Sequence, residues 1–232
     1  LMPNQDKRYT AAIRFGITTD TQDCTGNVLS TSEKPVTREA LEAALIPLRG
    51  TIEQLPPMYS AVWVDGQRLY KLAREGREVE RPTRQVTIHR LELLEFDGEK
   101  RTCVLDVCCS KGTYIRTLCH DIGEALGCGG ILTALRRTET LGFTSKDCHT
   151  LEELKQRSDE GRFEELLMPV DSAFRQYKSI FLSPKQTKMF LDGIRLDTNR
   201  FRILAVGDTV RVYGEGRFLA LAHIERSIAE LQ

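Results

Sequence analysis

The stretch Cys109-Ser110-Lys111-Gly112-Thr113-Tyr114-Ile115-Arg116-Thr117-Leu118 joins a predicted strand to a predicted helix. Before it, Val86 to Phe96 and Arg101 to Cys109 carry strand patterns separated by Asp97-Gly98, which predicts a β-hairpin. After it, apolar side chains recur at helical spacing up to a terminating glycine, and these are Ile115, Leu118, Ile122, Leu126 and Gly127. A strand pair followed directly by an amphipathic helix indicates an α+β arrangement.

The flanking segments extend this pattern in both directions. Tyr9 to Phe15 alternates apolar and polar side chains, which predicts a strand with one buried face. Thr37 is a predicted N-cap of a helix that ends at Gly50, and Leu69 to Glu75 predicts a short helix. Thr150-x-x-Glu153 has the form of a capping box that starts another helix.

The pattern changes between Met168 and Tyr177, which predicts a domain boundary. Beyond it, the sequence predicts a helix at about Pro184 to Asp192, followed by strands at Thr209 to Tyr213 and at Arg217 to Glu225. We therefore expect an α+β domain over 1–176, with a mixed, largely antiparallel sheet flanked by helices. A small β-rich domain is expected over 177–232.

Composition places the chain among ordinary globular proteins. Of its 232 residues, 41% are hydrophobic and 28% are charged. No apolar run approaches the ~20 residues that span a bilayer, so we expect a soluble cytoplasmic protein without membrane contact. The seven cysteines lack a C-x-x-C pair, which favours reduced thiols over disulfides. Cys119-His120, Cys128 and Cys148-His149 match no zinc-finger spacing, so no metal is predicted, although a structural zinc protein remains an alternative.

Charge is balanced overall but unevenly distributed. Basic and acidic residues both number 33, yet Arg68 to Arg90 holds seven basic and three acidic residues, and Glu152 to Asp171 reverses that ratio. The basic segment would suit phosphates. Two solvated faces of unequal charge explain the pattern equally well.

Common catalytic signatures are absent from the sequence. It has no P-loop, no dinucleotide-binding G-x-G-x-x-G, no H-E-x-x-H and no G-x-S-x-G, and its four histidines are isolated from one another. The isolated histidines argue against a His-based nucleophile system and against a His-rich metal site. From the residues alone, no specific activity follows.

Three blocks resemble the TruB family of pseudouridine synthases. The first is Lys7-Arg8-Tyr9 followed by Thr18-Thr19-Asp20-Thr21-Gln22-Asp23 and Gly26, which is similar to the family's K-x-Y…T-D-T-x-D…G pattern. The second runs from Leu55-Pro56-Pro57-Met58-Tyr59-Ser60-Ala61 to Gly76. The third runs from Cys109 through Arg116 to Leu135-Arg136-Arg137-Thr138.

The resemblance implies a fold, a reaction and a partner. The implied fold is the pseudouridine synthase fold, incomplete at its N-terminus, with 177–232 as a small β-barrel RNA-binding domain of the PUA type. The implied reaction isomerises the T-loop uridine of tRNA to pseudouridine. It needs no cofactor and no metal, and the implied protein is a monomer that binds the tRNA T-arm.

The resemblance also implies roles for seven residues. Arg116 matches the arginine that pairs with the catalytic aspartate, Tyr9 matches the tyrosine that contacts the flipped base, and Leu135 matches an apolar residue packed against that base. Asp23 corresponds to an acidic residue of the cleft, where it is an alternative partner for Arg116. Lys111, Arg136 and Arg137 are candidates for phosphate contacts. Ordinary core or solvent-exposed positions remain the alternatives, since Tyr9 shares the parity of Ile13 and Phe15.

One departure from the family concerns the nucleophile. The family's catalytic aspartate lies in a G-T-L-D-P segment, and the Leu-Asp pairs of this chain (Leu105-Asp106, Leu191-Asp192 and Leu196-Asp197) lack that context. We therefore expect these 232 residues alone to be inactive. Trp63 stands where members often carry lysine. A non-catalytic RNA-binding module and a guide-RNA-dependent pseudouridine synthase remain alternative functions.

Overall fold

A computed structural model describes residues 5–64, 66–197, 201 and 205–225. The described residues form two compact units that divide between Cys148 and His149. The predicted division between 176 and 177 stays a prediction. No helix in these ranges is long and apolar enough to cross a membrane.

The first unit contains ten strands and three α-helices among its described residues. In chain order they are β1 Lys7–Phe15, β2 Ile17–Thr19, β3 Val28–Thr31, α1 Arg38–Leu45, β4 Gly50–Gln54, β5 Trp63–Val64, β6 Gln67–Arg68, α2 Leu69–Arg74, β7 Arg84–Asp97, β8 Thr102–Cys109, α3 Ile115–Leu126, β9 Gly130–Thr140 and β10 Phe143–Thr144. Short 3-10 helices lie at Ile46–Leu48 and Ser145–Asp147.

Six strands form one antiparallel sheet in the order β10-β9-β1-β8-β7-β4. The predicted hairpin is confirmed as β7 and β8, and β1 lies between β8 and β9 at the middle of the sheet. Tyr9 therefore lies on the central strand β1. Arg116 lies on α3, the helix that follows the neighbouring strand β8. The predicted α+β class with a largely antiparallel sheet is confirmed.

The core lies on the face of the sheet covered by α1 and α3. Ala11, Ile13 and Phe15 of β1 are buried, as their alternation predicts. They pack in one cluster with the apolar faces of the two helices, whose buried members are Leu41, Leu45, Ile115, Leu118, Ile122 and Leu126.

Helix α3 ends as predicted and approaches β9 very closely. Gly127 terminates it in the left-handed conformation, with φ of 68°. A Cβ on Gly123 would lie 2.1 Å from the backbone nitrogen of Gly130, so only glycine permits this helix–strand approach. This contact holds α3 against the strand that carries Leu135.

The helix predicted from Thr37 to Gly50 is shorter than expected. Thr37 is its N-cap, but the α-helix ends at Leu45 and continues as the 3-10 turn Ile46–Leu48. Pro47 has no N–H to donate to the preceding turn, so the α-helical hydrogen-bond pattern cannot continue through it.

The second unit contains α4 Leu151–Asp159, β11 Lys178–Leu182, α5 Pro184–Leu191, β12 Thr209–Gly214 and β13 Arg217–His223, with 3-10 helices at Phe163–Leu166 and Val170–Phe174. The capping box at Thr150 and the two predicted strands are confirmed. Strand β12 pairs parallel with β11 and antiparallel with β13 around a small apolar core. Within the described residues this sheet has three strands and is not closed, so the predicted small barrel is not confirmed.

Candidate active site

Arg116 lies in the first turn of α3, and a buried glutamine fixes where that helix begins. The Gln54 side chain accepts a hydrogen bond from the Tyr114 N–H at 2.8 Å and donates one to the Tyr114 carbonyl at 3.1 Å. Gln54 is almost fully buried. The end of β4 therefore sets the position of Arg116 along the sheet.

The Arg116 guanidinium is held by three acceptors. Its Nη1 donates to Asp23 Oδ2 at 3.0 Å and to the Thr21 carbonyl at 3.3 Å, and its Nη2 donates to the Tyr59 carbonyl at 2.8 Å. The charged groups of Arg116 and Asp23 are both partly buried. Among the described residues no acceptor lies within hydrogen-bonding distance of Nε, and a guanidinium has more N–H groups than these three contacts use. The Nε–H is therefore a donor that none of these three acceptors uses.

Asp23 is held as a fixed counter-ion for Arg116. Its Oδ1 accepts from the Thr21 hydroxyl at 2.7 Å, from the Thr25 hydroxyl at 2.6 Å and from the Thr25 N–H at 3.0 Å. Burial acts to raise the pKa of Asp23, but the hydrogen bonds from Thr25 and Thr21 and the Arg116 guanidinium together hold that pKa below its usual value. Asp23 therefore stays ionised beside Arg116.

The loop that carries Asp23 also reaches β9. The Thr117 hydroxyl donates to the Gln22 side chain at 2.8 Å. The Leu132 N–H donates to the Gln22 carbonyl at 3.1 Å, and the Cys24 N–H donates to the Leu132 carbonyl at 3.0 Å. The loop thus connects the start of α3 with the strand that presents Leu135.

Tyr9, Leu135 and Arg137 lie on one face of the sheet. In the pairing of β1 with β9, Tyr9 is opposite Arg137 and Ala11 is opposite Leu135, and directly opposed side chains share a face. Tyr9 packs partly buried against the main core. Leu135 is 46% exposed, so the apolar face opens to solvent at this end. The three side chains line the open margin of the core.

Tyr9 keeps its phenolic proton at neutral pH. Burial raises the pKa of Tyr9, and the adjacent Arg137 guanidinium opposes that rise without cancelling it. A neutral tyrosine beside an arginine offers an aromatic face and a hydroxyl donor.

The three predicted phosphate contacts do not all share this face. Arg136 pairs with Thr10, and neighbouring residues on a strand point to opposite faces, so Arg136 and Arg137 do not share a surface. Lys111 is exposed in the turn between β8 and α3. Only Arg137 joins the face with Tyr9 and Leu135.

Sequence reasoning missed the groups that orient Arg116 and a charged cluster on the opposite sheet face. The Tyr59 and Thr21 carbonyls and the Thr25 hydroxyl had no sequence signal beyond the density of Thr and Asp in that loop. On the opposite face, Asp106 is bound by Arg8 through two contacts of 2.8 and 2.6 Å and by Arg90 at 2.7 Å. The hydrogen bond from Arg8 holds the pKa of Asp106 below its usual value against the effect of burial.

The titratable groups of the site do not form a metal-binding set. In the part of the chain that the structure describes, no group of three or more His, Cys, Asp or Glu side chains is arranged to hold a metal ion. The site offers a cation that can orient a carboxylate on α3, and an aromatic and apolar surface on strands β1 and β9.

Comparisons with known proteins place the sequence in a family. Residues 1–115 match the family described as TruB family pseudouridylate synthase (N terminal domain), and residues 116–175 match the tRNA pseudouridylate synthase B C-terminal domain. A protein named tRNA pseudouridine synthase B from Chromobacterium violaceum is 52% identical over 190 residues, covering 81% of this chain and 60% of the relative. One of the same name from Azoarcus sp. is 46% identical over 222 residues, covering 95% of this chain and 71% of the relative.

Solved structures share the fold at lower identity. A chain from the crystal structure of a Cbf5-Nop10-Gar1 complex superposes with a TM-score of 0.66 at 22% identity, covering 100% of this chain and 63% of that one. A chain from an H/ACA RNP bound to a substrate RNA containing 2'-deoxyuridine gives 0.66 at 18% identity, covering 99% and 62%. The chain thus spans about three-fifths of the length of several proteins it matches, and on these sequence matches it belongs to the TruB family of pseudouridine synthases.

Proposed function

We propose that this chain is the greater part of a stand-alone tRNA pseudouridine synthase that isomerises the T-loop uridine. The observation that carries the proposal is the oriented Arg116 guanidinium, which is bound by Asp23 and two carbonyls through its Nη atoms and keeps its Nε–H unused by them. We assign that Nε–H to a second carboxylate. The curated relatives are named for the same activity on tRNA.

The reaction accounts for the residue types at the site. The C1′–N1 bond of the uridine breaks and a C1′–C5 bond forms, while the base loses the C5 proton and gains one at N1. No electrons are transferred, so neither a redox cofactor nor a metal is required by the stoichiometry. A carboxylate beside the sugar is required, and a guanidinium keeps such a carboxylate ionised and aimed.

We assign each described side chain a role in that step. Arg116 holds the nucleophilic carboxylate, which belongs to a segment outside these 232 residues, and Asp23 holds Arg116. Tyr9 contacts the flipped base, and Leu135 packs against it. Stacking on such surfaces offsets part of the cost of flipping, at about 1–3 kcal/mol per base. Arg137, on the same face, is the best placed of the three candidate phosphate ligands, ahead of Lys111 and Arg136.

The C-terminal residues 177–232 bind RNA in this proposal. We place the catalytic domain in residues 1–176 and a PUA-like RNA-binding domain in 177–232, which contacts the tRNA outside the target loop. The enzyme would act in the cytoplasm as a monomer on the T-arm.

Two alternatives are a guide-RNA-dependent synthase and a non-catalytic RNA-binding module. The first is disfavoured because relatives at 52% and 46% identity are named tRNA pseudouridine synthase B. The second leaves the orientation of Arg116 without a purpose.

Tritium release from tRNA labelled at uridine C5 tests the proposal, because the C5 hydrogen is lost in the reaction. The 232-residue chain is assayed alone and after fusion of a family segment that carries G-T-L-D-P ahead of Leu1. We expect no release from the chain alone and T-loop-specific release from the fusion without any guide RNA. The Arg116→Lys variant of the fusion should lose at least about 100-fold in rate, because lysine lacks the planar fork. Release only with a guide RNA, or none from the fusion despite tRNA binding, would support the alternatives.

A further inference from the structure

Trp63 is a large aromatic side chain directed away from every core. It is 62% exposed, although it lies in a regular two-residue strand. Its neighbours Val62 and Val64 pack with Leu69 and Leu72 in a small apolar cluster. Alternation along an extended segment puts Trp63 on the opposite side from these neighbours. Its exposure is therefore built into the local packing.

A guanidinium lies over the exposed indole. Trp63 pairs with Arg68 across the β5–β6 hairpin, and the Arg68 guanidinium carbon is 5.3 Å from the centre of the ring. That distance is typical of a cation–π contact, which fixes the orientation of the ring. A second such contact lies on α2, where the Arg74 guanidinium carbon is 5.4 Å from the centre of the Tyr70 ring.

The segment that follows this ring along the chain is basic. Residues 68–84 contain six basic and three acidic side chains, a net charge of +3 in a chain whose total is zero. Arg77 and Arg81 form ion pairs with Glu75 and Glu78. Interleaved arginine and aromatic side chains are typical of surfaces that bind single-stranded nucleic acid through phosphates and base faces.

We propose that Trp63, supported by Arg68, is a stacking platform for one unpaired base of the RNA, next to basic side chains of residues 68–84 that contact phosphates. The proposal rests on the proposed function, since it takes tRNA as the ligand. It adds a base contact on a hairpin separate from Tyr9 and Leu135. An exposed tryptophan can also anchor a protein partner, but Arg68 over the ring and the net positive charge of residues 68–84 favour a polyanion with aromatic faces.

The chain contains one tryptophan, so its intrinsic fluorescence reports on this ring alone. A base stacked on the indole quenches its emission. The full chain is titrated at low salt with an unmodified T-arm hairpin, and binding is followed in parallel by the anisotropy of a dye on the RNA. We expect quenching that saturates with the same Kd as the anisotropy, and much weaker quenching by a fully paired duplex of the same length.

Substitutions separate stacking from charge. Trp63→Ala should weaken hairpin binding about 5- to 100-fold with an unchanged salt dependence, and Trp63→Phe should retain most of the affinity. Lys71→Ala should instead lower the salt slope by about one. Leu94→Ala, which removes an exposed apolar side chain from β7, is the matched control and should bind like the parent. Circular dichroism checks that each variant is folded.

The outcomes distinguish this proposal from the proposed function. Binding by anisotropy without quenching, together with Trp63→Ala binding like the parent, would overturn the stacking platform and leave the proposed function intact. Failure of the parent chain to bind any tRNA or hairpin would count against both.

Discussion

Removing both arginines that bind Asp106 should destabilise the first unit. Removing the aspartate as well should restore most of the lost stability. The Asp106 side chain is 7% exposed, and its carboxylate is bound by Arg8 and Arg90 from the two neighbouring strands. In the Arg8→Ala/Arg90→Ala variant this carboxylate stays in the sheet without a cation. Breaking a buried ion pair costs about 3–5 kcal/mol. The two arginine side chains are 39% and 44% exposed and cover Asp106, so their removal lets water reach the carboxylate. We therefore expect a loss in the free energy of unfolding at the lower end of that range, about 3 kcal/mol.

The added Asp106→Val substitution removes the uncompensated charge and places a β-branched residue in a strand. It should return the free energy of unfolding to within about 1 kcal/mol of the parent protein. Arg14→Ala, an exposed arginine on the same strand β1, is the control and should change it by less than about 0.5 kcal/mol. Urea denaturation followed by far-UV circular dichroism measures all four proteins, with m-values compared to detect any change in cooperativity.

A pH series tests the same reasoning independently. Because Arg8 lowers the pKa of Asp106 in the folded protein, the pair stabilises the fold above the unfolded carboxyl pKa of about 3.9. That contribution is lost as pH falls through the lower folded-state pKa. The difference between the parent and the double variant should therefore narrow in acid. If the triple variant is as unstable as the double variant at pH 7, the uncompensated carboxylate is not the cause.

Three further predictions follow from packing, charge and burial. Gly123→Ala should destabilise the first unit by about 3 kcal/mol or more, measured by urea denaturation with the exposed Glu124→Ala as control, because the new methyl group meets the Gly130 backbone. Asp23→Asn should lower the free energy of unfolding by about 1–3 kcal/mol at pH 7, measured by the same urea denaturation. Because the folded-state pKa of Asp23 is lowered, this difference from the parent protein should shrink as the pH falls below about 4. Alkylation with iodoacetamide, read by mass spectrometry, should modify exposed thiols first and buried thiols only after unfolding, since burial raises the pKa of Cys103 to about 12 and that of Cys119 well above its usual value. The exposed thiols are those of Cys24 and Cys148, and the buried ones those of Cys103, Cys109, Cys119 and Cys128.

Elements with local signals could be predicted from the sequence. The β7–β8 hairpin follows from two alternating segments and a turn, where Asp97 accepts a hydrogen bond from the Lys100 N–H at 2.9 Å. Helix α3 follows from its apolar spacing and its terminal glycine. In each case the signal and the structure lie within the same few residues, so no distant contact is needed to decide the outcome.

Elements fixed by distant contacts could not be predicted in this way. Strand β9 runs from Gly130 to Thr140, yet the residue pattern there predicts no strand. Its pairing with β1 has register shifts between Arg8 and Tyr9 and between Ala12 and Ile13, and these irregularities break the two-residue period. Strand β11 also depends on a distant segment. It ends at Leu182, and its parallel partner β12 begins 27 residues later, at Thr209.

At the site, the important residues could be predicted from the sequence, but the contacts that orient them could not. The family resemblance selected Arg116 and Asp23, and the structure adds that two of the three acceptors on Arg116 are backbone carbonyls, those of Thr21 and Tyr59. Every residue has a carbonyl, so sequence cannot reveal such contacts. Their effect is nevertheless specific, since acceptors on both Nη atoms fix the plane of the guanidinium before any substrate binds. An orientation set in advance lowers the cost of aligning the reacting groups. A lysine ammonium, which is a point charge on a flexible stem, cannot be fixed in this way.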